Sequence, residues 1–233
     1  MPILVADCVA KSFGSRRVLS AATLRAEPGQ VRVIFGRNGI GKSTLLKIAA
    51  GQMSPDSGVV HFRGKAHLEV HQATLARDGV FYLPDHELLS ESFSLRRQMR
   101  FYEERFRRRS VADAAAMANV SHLLDRRPRS FSGGELRRAE LALVLVRRPD
   151  CLLADEPYRG IAPVDHDVLT RLFRRLAADG CAVVVTGHEV PTLLEAADHI
   201  TWCTAGTTYE LGTPEAAKRH LEFRRDYLGP HGG

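Results

Sequence analysis

The most constraining feature of this 233-residue sequence is a glycine-rich segment near its start. Residues 36–44 read GRNGIGKST, which fits the pattern GxxxxGK[S/T], and they lie between a β-rich run at 31–35 and a helix-forming stretch at 43–50. Glycines let several backbone N–H groups point at one anion, and a helix start adds partial positive charge. The segment therefore predicts a phosphate-binding loop rather than an ordinary turn with a solvent-facing lysine. Its candidate binding residues are Gly36, Asn38, Gly39, Gly41, Lys42, Ser43 and Thr44.

A pair of carboxylates is the second chemical signal. The apolar run at 151–154 predicts a buried strand, and Asp155 and Glu156 follow it directly. In a chain that already carries a phosphate loop, Asp155 is predicted to hold Mg²⁺ together with the Ser43 hydroxyl. Glu156 would then orient or deprotonate the attacking water. The alternative is that the acidic pair only begins a loop.

Strand-like and helix-like segments alternate along the chain. Residues 2–9, 18–25, 31–35, 59–63, 80–83, 151–154 and 182–186 are predicted strands, whereas 43–50, 94–120, 133–147 and 164–178 are predicted helices. Such alternation indicates an α/β fold with a largely parallel core sheet. The helical stretch 86–148 interrupts the alternation. We therefore predict one domain over residues 1–233, with 86–148 as an inserted helical subdomain.

Charge and composition narrow the class of protein. The net charge is +6, and the segment 94–131 alone supplies it, with ten arginines against four acidic residues. This basic region predicts a docking face for an acidic partner, although a solvated arginine-rich surface is the alternative. The sequence lacks an apolar run long enough to span a membrane and a secretory signal at its start. The four cysteines are scattered, which predicts reduced thiols rather than a zinc site or disulfides.

Two further segments complete a recognisable order. Residues 131–135 read FSGGE, a serine before two glycines at a predicted helix start, and residues 186–189 read TGHE after an apolar run. In the order phosphate loop, FSGGE, acidic pair and TGHE, the chain resembles the ABC-type nucleotide-binding domain over residues 3–228. The resemblance implies a P-loop NTPase (RecA-like) core with a mixed, largely parallel sheet, an antiparallel β portion and an inserted α-helical subdomain.

The resemblance also implies roles for individual residues. His188 would touch the γ-phosphate of ATP, and Phe13 would stack on the adenine, unless Phe13 is a core residue instead. In the family two subunits meet head to tail, so that each phosphate loop faces the signature segment of the other subunit. The signature residues implied for this chain are Ser132, Gly133 and Gly134.

Two positions depart from the family pattern. Asp85 follows the strand at 80–83, where the family usually has a glutamine that contacts Mg²⁺. An aspartate could still bind Mg²⁺, but it is shorter and cannot donate a hydrogen bond when ionised. Ala162 stands where the family usually has an aspartate after the acidic pair. Because Lys42, Glu156 and His188 are all present as candidate catalytic residues, hydrolysis of ATP to ADP and phosphate is still predicted.

The resemblance thus predicts the ATP-binding and ATP-hydrolysing subunit of an ABC transporter, with ATP and Mg²⁺ as cofactors. Its predicted partners are separate transmembrane permease subunits and a second ATPase subunit, and its predicted location is the cytoplasmic face of a membrane. An alternative is a soluble ABC ATPase that acts on nucleic acid or ribosomes. Such proteins usually carry long coiled-coil insertions or two ATPase domains. Neither feature is seen in this sequence, so no nucleic acid is expected as a partner. A P-loop kinase is a further alternative, against which the signature segment argues.

Overall fold

The computed structural model describes residues 1–67, 71–86, 88–106 and 109–228. These residues form an α/β fold around one sheet of ten strands. The strands are β1 Leu4–Phe13, β2 Arg16–Ala26, β3 Val31–Phe35, β4 Ser57–Phe62, β5 Lys65–His67, β6 Val80–Leu83, β7 Cys151–Ala154, β8 Ala182–Thr186, β9 His199–Thr204 and β10 Thr207–Gly212. The helices are α1 Lys42–Ala49, α2 Gln72–Asp78, α3 Leu95–Phe106, α4 Val111–Met117, α5 Gly133–Arg147, α6 Pro163–Ala178, α7 Val190–Ala196, α8 Pro214–Arg219 and α9 Leu221–Tyr227.

The sheet has a parallel half and an antiparallel half. Its strand order is β5-β4-β1-β2-β10-β9-β3-β8-β7-β6. Strands β9, β3, β8, β7 and β6 pair in parallel, whereas β5, β4, β1 and β2 pair antiparallel to one another. Every residue of β3, β7 and β8 is buried, as expected for parallel strands with both faces covered. The predicted mixed, largely parallel core and its antiparallel portion are therefore confirmed.

Alternate residues of β3 enter two hydrophobic cores, one on each face of the sheet. Ile34 packs in the core that contains Leu45 and Leu46 of α1. Val33 and Phe35 point to the other core, which contains buried apolar residues of α3 to α7. This arrangement fixes the end of β3 between two packed layers, and the glycine-rich loop leaves from that fixed end.

Helices α3, α4 and α5 lie in the chain between β6 and β7, within the predicted insertion at 86–148. The prediction of one continuous helix over 94–120 was wrong. Helix α3 ends at Phe106, and Ser110 has an extended backbone that caps α4, where its hydroxyl accepts from Asp113 N–H. Buried residues of these helices belong to the same hydrophobic core as one face of the sheet. That the insertion is a separate subdomain remains a prediction.

The C-terminal helix α9 packs beside the strand that leads into the glycine-rich loop. The ring of Phe35 lies 5.3 Å from that of Phe223 and 5.4 Å from that of Tyr227, centroid to centroid. Arg37, in the loop itself, pairs with Asp226 at 3.4 Å. Residues far apart in the sequence thus meet at the loop.

Candidate functional site

The glycine-rich loop adopts a backbone that few other sequences could follow. Gly41 caps α1 with a φ of 118°, and a Cβ there would lie 2.7 Å from the Leu19 side chain. A Cβ at Gly36 would lie 2.8 Å from the Cys203 carbonyl oxygen. The first backbone bond of α1 runs from Leu45 N–H to Gly41 O, so the preceding N–H groups have no partner within the helix. The loop can therefore direct N–H groups at an anion.

Lys42 lies inside this loop, with its side chain 4% exposed. Its ammonium donates to the carbonyl oxygens of Gly36 at 2.7 Å and Arg37 at 3.3 Å. Glu156 Oε1 lies 4.0 Å from the same nitrogen. Burial lowers the pKa of Lys42, and the nearby Glu156 and Asp155 carboxylates oppose this change. The Lys42 nitrogen thus lies inside the loop, within reach of groups that bind there.

Asp155 is fully buried at the end of β7. Its Oδ1 accepts from the Ser43 hydroxyl at 3.0 Å and from the Thr186 hydroxyl at 2.8 Å. Its Oδ2 accepts from the Tyr82 hydroxyl at 3.0 Å. Burial, followed by the Asp155 charge, raises the pKa of Tyr82 far above its usual value, so the phenol remains a donor. Ser43 and Asp155, the predicted magnesium ligands, are therefore in direct contact.

Glu156 adopts an unusual backbone conformation, with a φ of 44°. Its N–H donates to the Thr186 hydroxyl at 2.9 Å, which anchors this turn to β8. Its Oε1 lies 3.0 Å from His188 Nε2. The structure thus brings together the three predicted catalytic residues, Lys42, Glu156 and His188. A carboxylate and an imidazole in contact beside a buried ammonium can position a water and a phosphate together.

Ser132, Gly133 and Gly134 begin α5 with a complete capping box. The Ser132 hydroxyl accepts from Glu135 N–H at 3.3 Å, and Ser132 N–H donates to Glu135 Oε2 at 2.8 Å. This backbone bond is the main reason why the pKa of Glu135 is lowered. A Cβ at Gly134 would lie 2.0 Å from Asp165 Oδ2. The contacts of the segment, within the described residues, are with α5 and the start of α6 rather than with the glycine-rich loop.

Phe13 ends β1, and its side chain is 48% exposed. It is therefore not a core residue, which removes the alternative interpretation of this position. Its cross-strand neighbour Arg16 donates to Gly39 O at 3.3 Å. Arg16 thus joins the strand end that carries this exposed ring to the glycine-rich loop.

Comparison with known proteins identifies the family. Residues 19–159 match the family model described as ABC transporter. The chain belongs to this family. The lipopolysaccharide export system ATP-binding protein LptB of Haemophilus influenzae is 29% identical, over 98% of each chain. The zinc import ATP-binding protein ZnuC of Alkalilimnicola ehrlichii is 36% identical over 93% of this chain and 81% of its own.

Solved structures support the fold. A nucleotide-free ATP-binding cassette from an ABC transporter has a TM-score of 0.83 at 24% identity, over 95% of this chain and 96% of its own. The cbiO1 protein of Clostridium perfringens, part of the ABC transporter complex cbiONQ, has a TM-score of 0.80 at 24% identity, over 97% and 94%. The chain is thus the ATP-binding and ATP-hydrolysing subunit of an ABC transporter, a component of a system with membrane partners. Among the described residues, no helix combines the length and the apolarity needed to cross a bilayer.

The donor set of this ABC subunit fits Mg²⁺ bound with a nucleotide. The described residues contain no group of three or more His, Cys, Asp or Glu side chains placed to hold a metal on their own. Protein-bound Mg²⁺ commonly uses one or two carboxylates and takes its remaining ligands from phosphates and water. The oxygens of Ser43 and Asp155, beside the phosphate-binding loop, match that requirement.

Asp85 and Ala162 are the two departures from the family pattern in this ABC subunit. The Asp85 carboxylate contacts His86 Nδ1 at 3.2 Å and Arg159 Nη1 at 3.4 Å. Burial opposes the change, but the contacts with His86 leave the pKa of Asp85 lowered. Magnesium binding by Asp85 stays a prediction. Ala162 precedes α6 with no side-chain cap, and Asp165 in the first turn pairs with Arg138 at 3.3 Å.

The sequence predicted no role for two residues at this site. They are Tyr82 and Thr186, which both donate to Asp155. Each ends or nearly ends a strand that neighbours β7 in the sheet. A polar side chain at the carboxyl end of a buried parallel strand was the available signal. Interpreting this signal requires the order of the strands in the sheet, which the local sequence pattern does not give.

Proposed function

We propose that this ABC subunit hydrolyses ATP with Mg²⁺ at the site formed by α1, β7 and β8. One observation carries the proposal: Glu156 lies 3.0 Å from His188 and 4.0 Å from the Lys42 ammonium, while its neighbour Asp155 accepts from Ser43. Bound Mg²⁺ would neutralise charge on the phosphates. The residues that would hold it are Ser43 and Asp155, with Asp85 as a further predicted ligand.

The remaining residues act on the phosphates and the water. Backbone N–H groups of Gly39, Gly41 and Lys42 cradle the phosphates, joined by Asn38, Ser43 and Thr44 of the loop. The Lys42 ammonium exchanges its bonds to loop carbonyls for bonds to phosphate oxygens. Glu156 accepts a proton from the attacking water or orients it, and His188 contacts the terminal phosphate. Phe13 stacks on the adenine, for which its exposed ring is suited.

We propose further that two subunits complete each site head to tail. The capped N-terminus of α5 offers N–H groups to an anion, as the start of a helix of 15 residues can. These groups, from Gly133 and Gly134 beside Ser132, would bind the ATP held by the phosphate loop of a second subunit. Closure around ATP and opening after hydrolysis would then give the two states that drive a membrane partner.

The membrane partner has a candidate docking groove. The groove lies between α2, the edge strand β6 and α3, and has a volume of about 400 Å³. Its aromatic and apolar wall includes Tyr82, Leu88, Phe101 and Tyr102, and the Phe101 side chain is 65% exposed. Arg77, Arg105 and Arg147 add positive charge. We call this surface the β6 groove.

The occupant we propose is a cytoplasmic segment of a separate transmembrane permease subunit, with apolar side chains for the wall and acidic ones for the arginines. This places the ABC subunit peripherally on the cytoplasmic face of a membrane. The names of its relatives include both lipopolysaccharide export and zinc import, so likeness to them does not assign a cargo.

The hydrolytic proposal is tested with Glu156→Gln, which keeps the size of the side chain but removes its basicity. Phosphate release from MgATP should fall at least about 100-fold, the usual contribution of a general base, while ATP still binds. Glu195→Gln makes the same chemical change at an exposed residue of α7 and is the matched control, which should stay within about threefold of the parent rate. Equal rates for Glu156→Gln and the parent would refute the assignment.

The docking proposal is tested by charge reversal on the rim of the β6 groove. Arg105→Glu should reduce the fraction of the chain that is recovered with membranes from its native cells, because it would repel an acidic partner. Arg25→Glu reverses an exposed arginine on β2, in the antiparallel half of the sheet, and serves as control. Unchanged fractionation of Arg105→Glu, with ATP turnover intact, would count against the groove as the docking site.

A further inference from the structure

Tyr82 belongs to two sites at once. Tyr82 is one of the residues that line the β6 groove, and its hydroxyl donates to Asp155 Oδ2 at 3.0 Å. Tyr82 is half-buried, and its hydroxyl reaches a fully buried carboxylate. A single side chain therefore connects the proposed docking surface with the proposed magnesium site.

The backbone around this connection is fixed. Strands β6 and β7 pair in parallel, with Tyr82 opposite Leu153 and Leu83 opposite Ala154. The Asp155 N–H donates to Leu83 O at 2.8 Å, which extends the pairing to the carboxylate itself. Because the two strand ends are held together, a change in the groove would reach Asp155 through the Tyr82 side chain rather than through strand separation.

The side chain of residue 85, which could also connect the groove with the metal site, makes other contacts. Asp85 follows β6 and stands at the position of the family's glutamine, but its carboxylate contacts His86 and Arg159. Tyr82 donates directly to the carboxylate of Asp155, the proposed metal ligand. Among the described residues, Asp155 Oδ2 has no other hydrogen-bond donor. The phenol is therefore well placed to set the direction in which Oδ2 points.

We infer that Tyr82 is a positioning residue that couples occupancy of the β6 groove to the orientation of Asp155, and so to the affinity for Mg²⁺. The inference rests on the proposed function of both sites. An occupant that displaces the Tyr82 ring moves its hydroxyl, and Asp155 then keeps only its bonds from Ser43 and Thr186. The affinity of the metal site thus depends on what lies in the groove.

The first test removes the hydroxyl and keeps the ring. Mn²⁺ is used as a probe in place of Mg²⁺, and its binding is measured by electron paramagnetic resonance with a non-hydrolysable ATP analogue present. Tyr82→Phe should weaken Mn²⁺ binding about tenfold, in line with loss of one hydrogen bond to a charged group. Analogue binding in EDTA should stay within about twofold, because the phosphate loop is untouched.

The matched control makes the same chemical change in the same groove. Tyr102→Phe removes a phenol hydroxyl from α3, where none of the described contacts joins it to Asp155. Its Mn²⁺ affinity should equal that of the parent. Equal Mn²⁺ affinity in Tyr82→Phe and the parent would overturn the inference, as would an equal loss in both variants.

The second test fills the groove covalently. Ala76 is exposed and lines the groove, and among the four cysteines Cys8 is the exposed one. A Cys8→Ser, Ala76→Cys chain is alkylated with N-benzylmaleimide, which places a ring in the groove. Alkylation should change Mn²⁺ affinity at least about threefold with Tyr82 present and leave it unchanged in Tyr82→Phe, since coupled changes are not additive. The same response in both backgrounds would refute the coupling.

Failure of the inference is distinguishable from failure of the proposed function. If the parent chain binds neither the analogue nor Mn²⁺, the nucleotide site itself is misassigned. If the parent binds both and Glu156→Gln loses hydrolysis, the nucleotide site stands. In that case an unaltered Tyr82→Phe removes only the proposed link between groove and metal.

Discussion

Thr186 offers the sharpest test of how this site is held together. It ends β8, is fully buried, and its single hydroxyl makes two bonds. The hydroxyl donates to Asp155 Oδ1 at 2.8 Å and accepts from Glu156 N–H at 2.9 Å. Thr186→Val keeps the shape of the side chain and removes both bonds, so the change opens no cavity and its cost is almost entirely polar.

The expected cost follows from those two bonds. Loss of a hydrogen bond to a charged group costs about 1.5–3 kcal/mol, and a buried N–H left without a partner costs about 1–3 kcal/mol. Because Asp155 retains Ser43 and Tyr82 as donors, we take the lower part of each range, a total of about 3 kcal/mol in the free energy of unfolding. At roughly 2–4 °C per kcal/mol for a chain of this size, Tm should fall by about 6–12 °C.

Calorimetry and steady-state hydrolysis measure the two consequences separately. Thr186→Ser, which keeps the hydroxyl, should retain most of the stability that Thr186→Val loses. Thr186→Val should also lower kcat at least about tenfold, because Glu156 loses its backbone anchor, while ATP affinity stays close to that of the parent. A Thr186→Val protein that melts within a degree of the parent would show that these bonds contribute little, and the reasoning would fail.

Three further predictions concern the loop, the signature helix and pH. Gly41→Ala should weaken ATP binding at least about tenfold, measured by calorimetry, because a φ of 118° is strained for alanine and its Cβ would press on Leu19. Ser132→Ala should cost about 1 kcal/mol in chemical denaturation through loss of the N-cap, even in an isolated chain. The hydrogen bond from Arg96 lowers the pKa of Asp125, so stability from this pair is present above the usual carboxyl value of 3.8 and is lost as pH falls through the lower folded value. Asp125→Asn should accordingly flatten the acid limb of Tm against pH, and an unchanged limb would exclude the pair as its source.

The chemistry of the site was more predictable than the contacts that support it. Lys42, Ser43, Asp155, Glu156 and His188 lie in local motifs, and the structure brings them together as expected of one site. The positions of these motif residues can be predicted because each motif follows an apolar run that the sequence identifies as a strand. The assignment of their chemical roles remains a prediction.

Supporting residues depend on which strands are neighbours. Tyr82 supports Asp155 only because β6 lies beside β7, and Thr186 only because β8 lies on the other side. Strands β5, β9 and β10 and helices α2, α7, α8 and α9 were not predicted, since their short segments lack a sustained period. The contacts of α9 with Phe35 and Arg37 join residues far apart in sequence, which local patterns do not encode.

The position of the helical stretch between β6 and β7 has a consequence for how this protein can vary. Those two strands are adjacent and parallel, and any such pair needs a crossover connection. Helices α3, α4 and α5 together form one long crossover between β6 and β7. The length of this crossover does not affect the register in which the two strands pair. The outer surface of these helices can therefore be enlarged, trimmed or recharged while the residues proposed for hydrolysis keep their places.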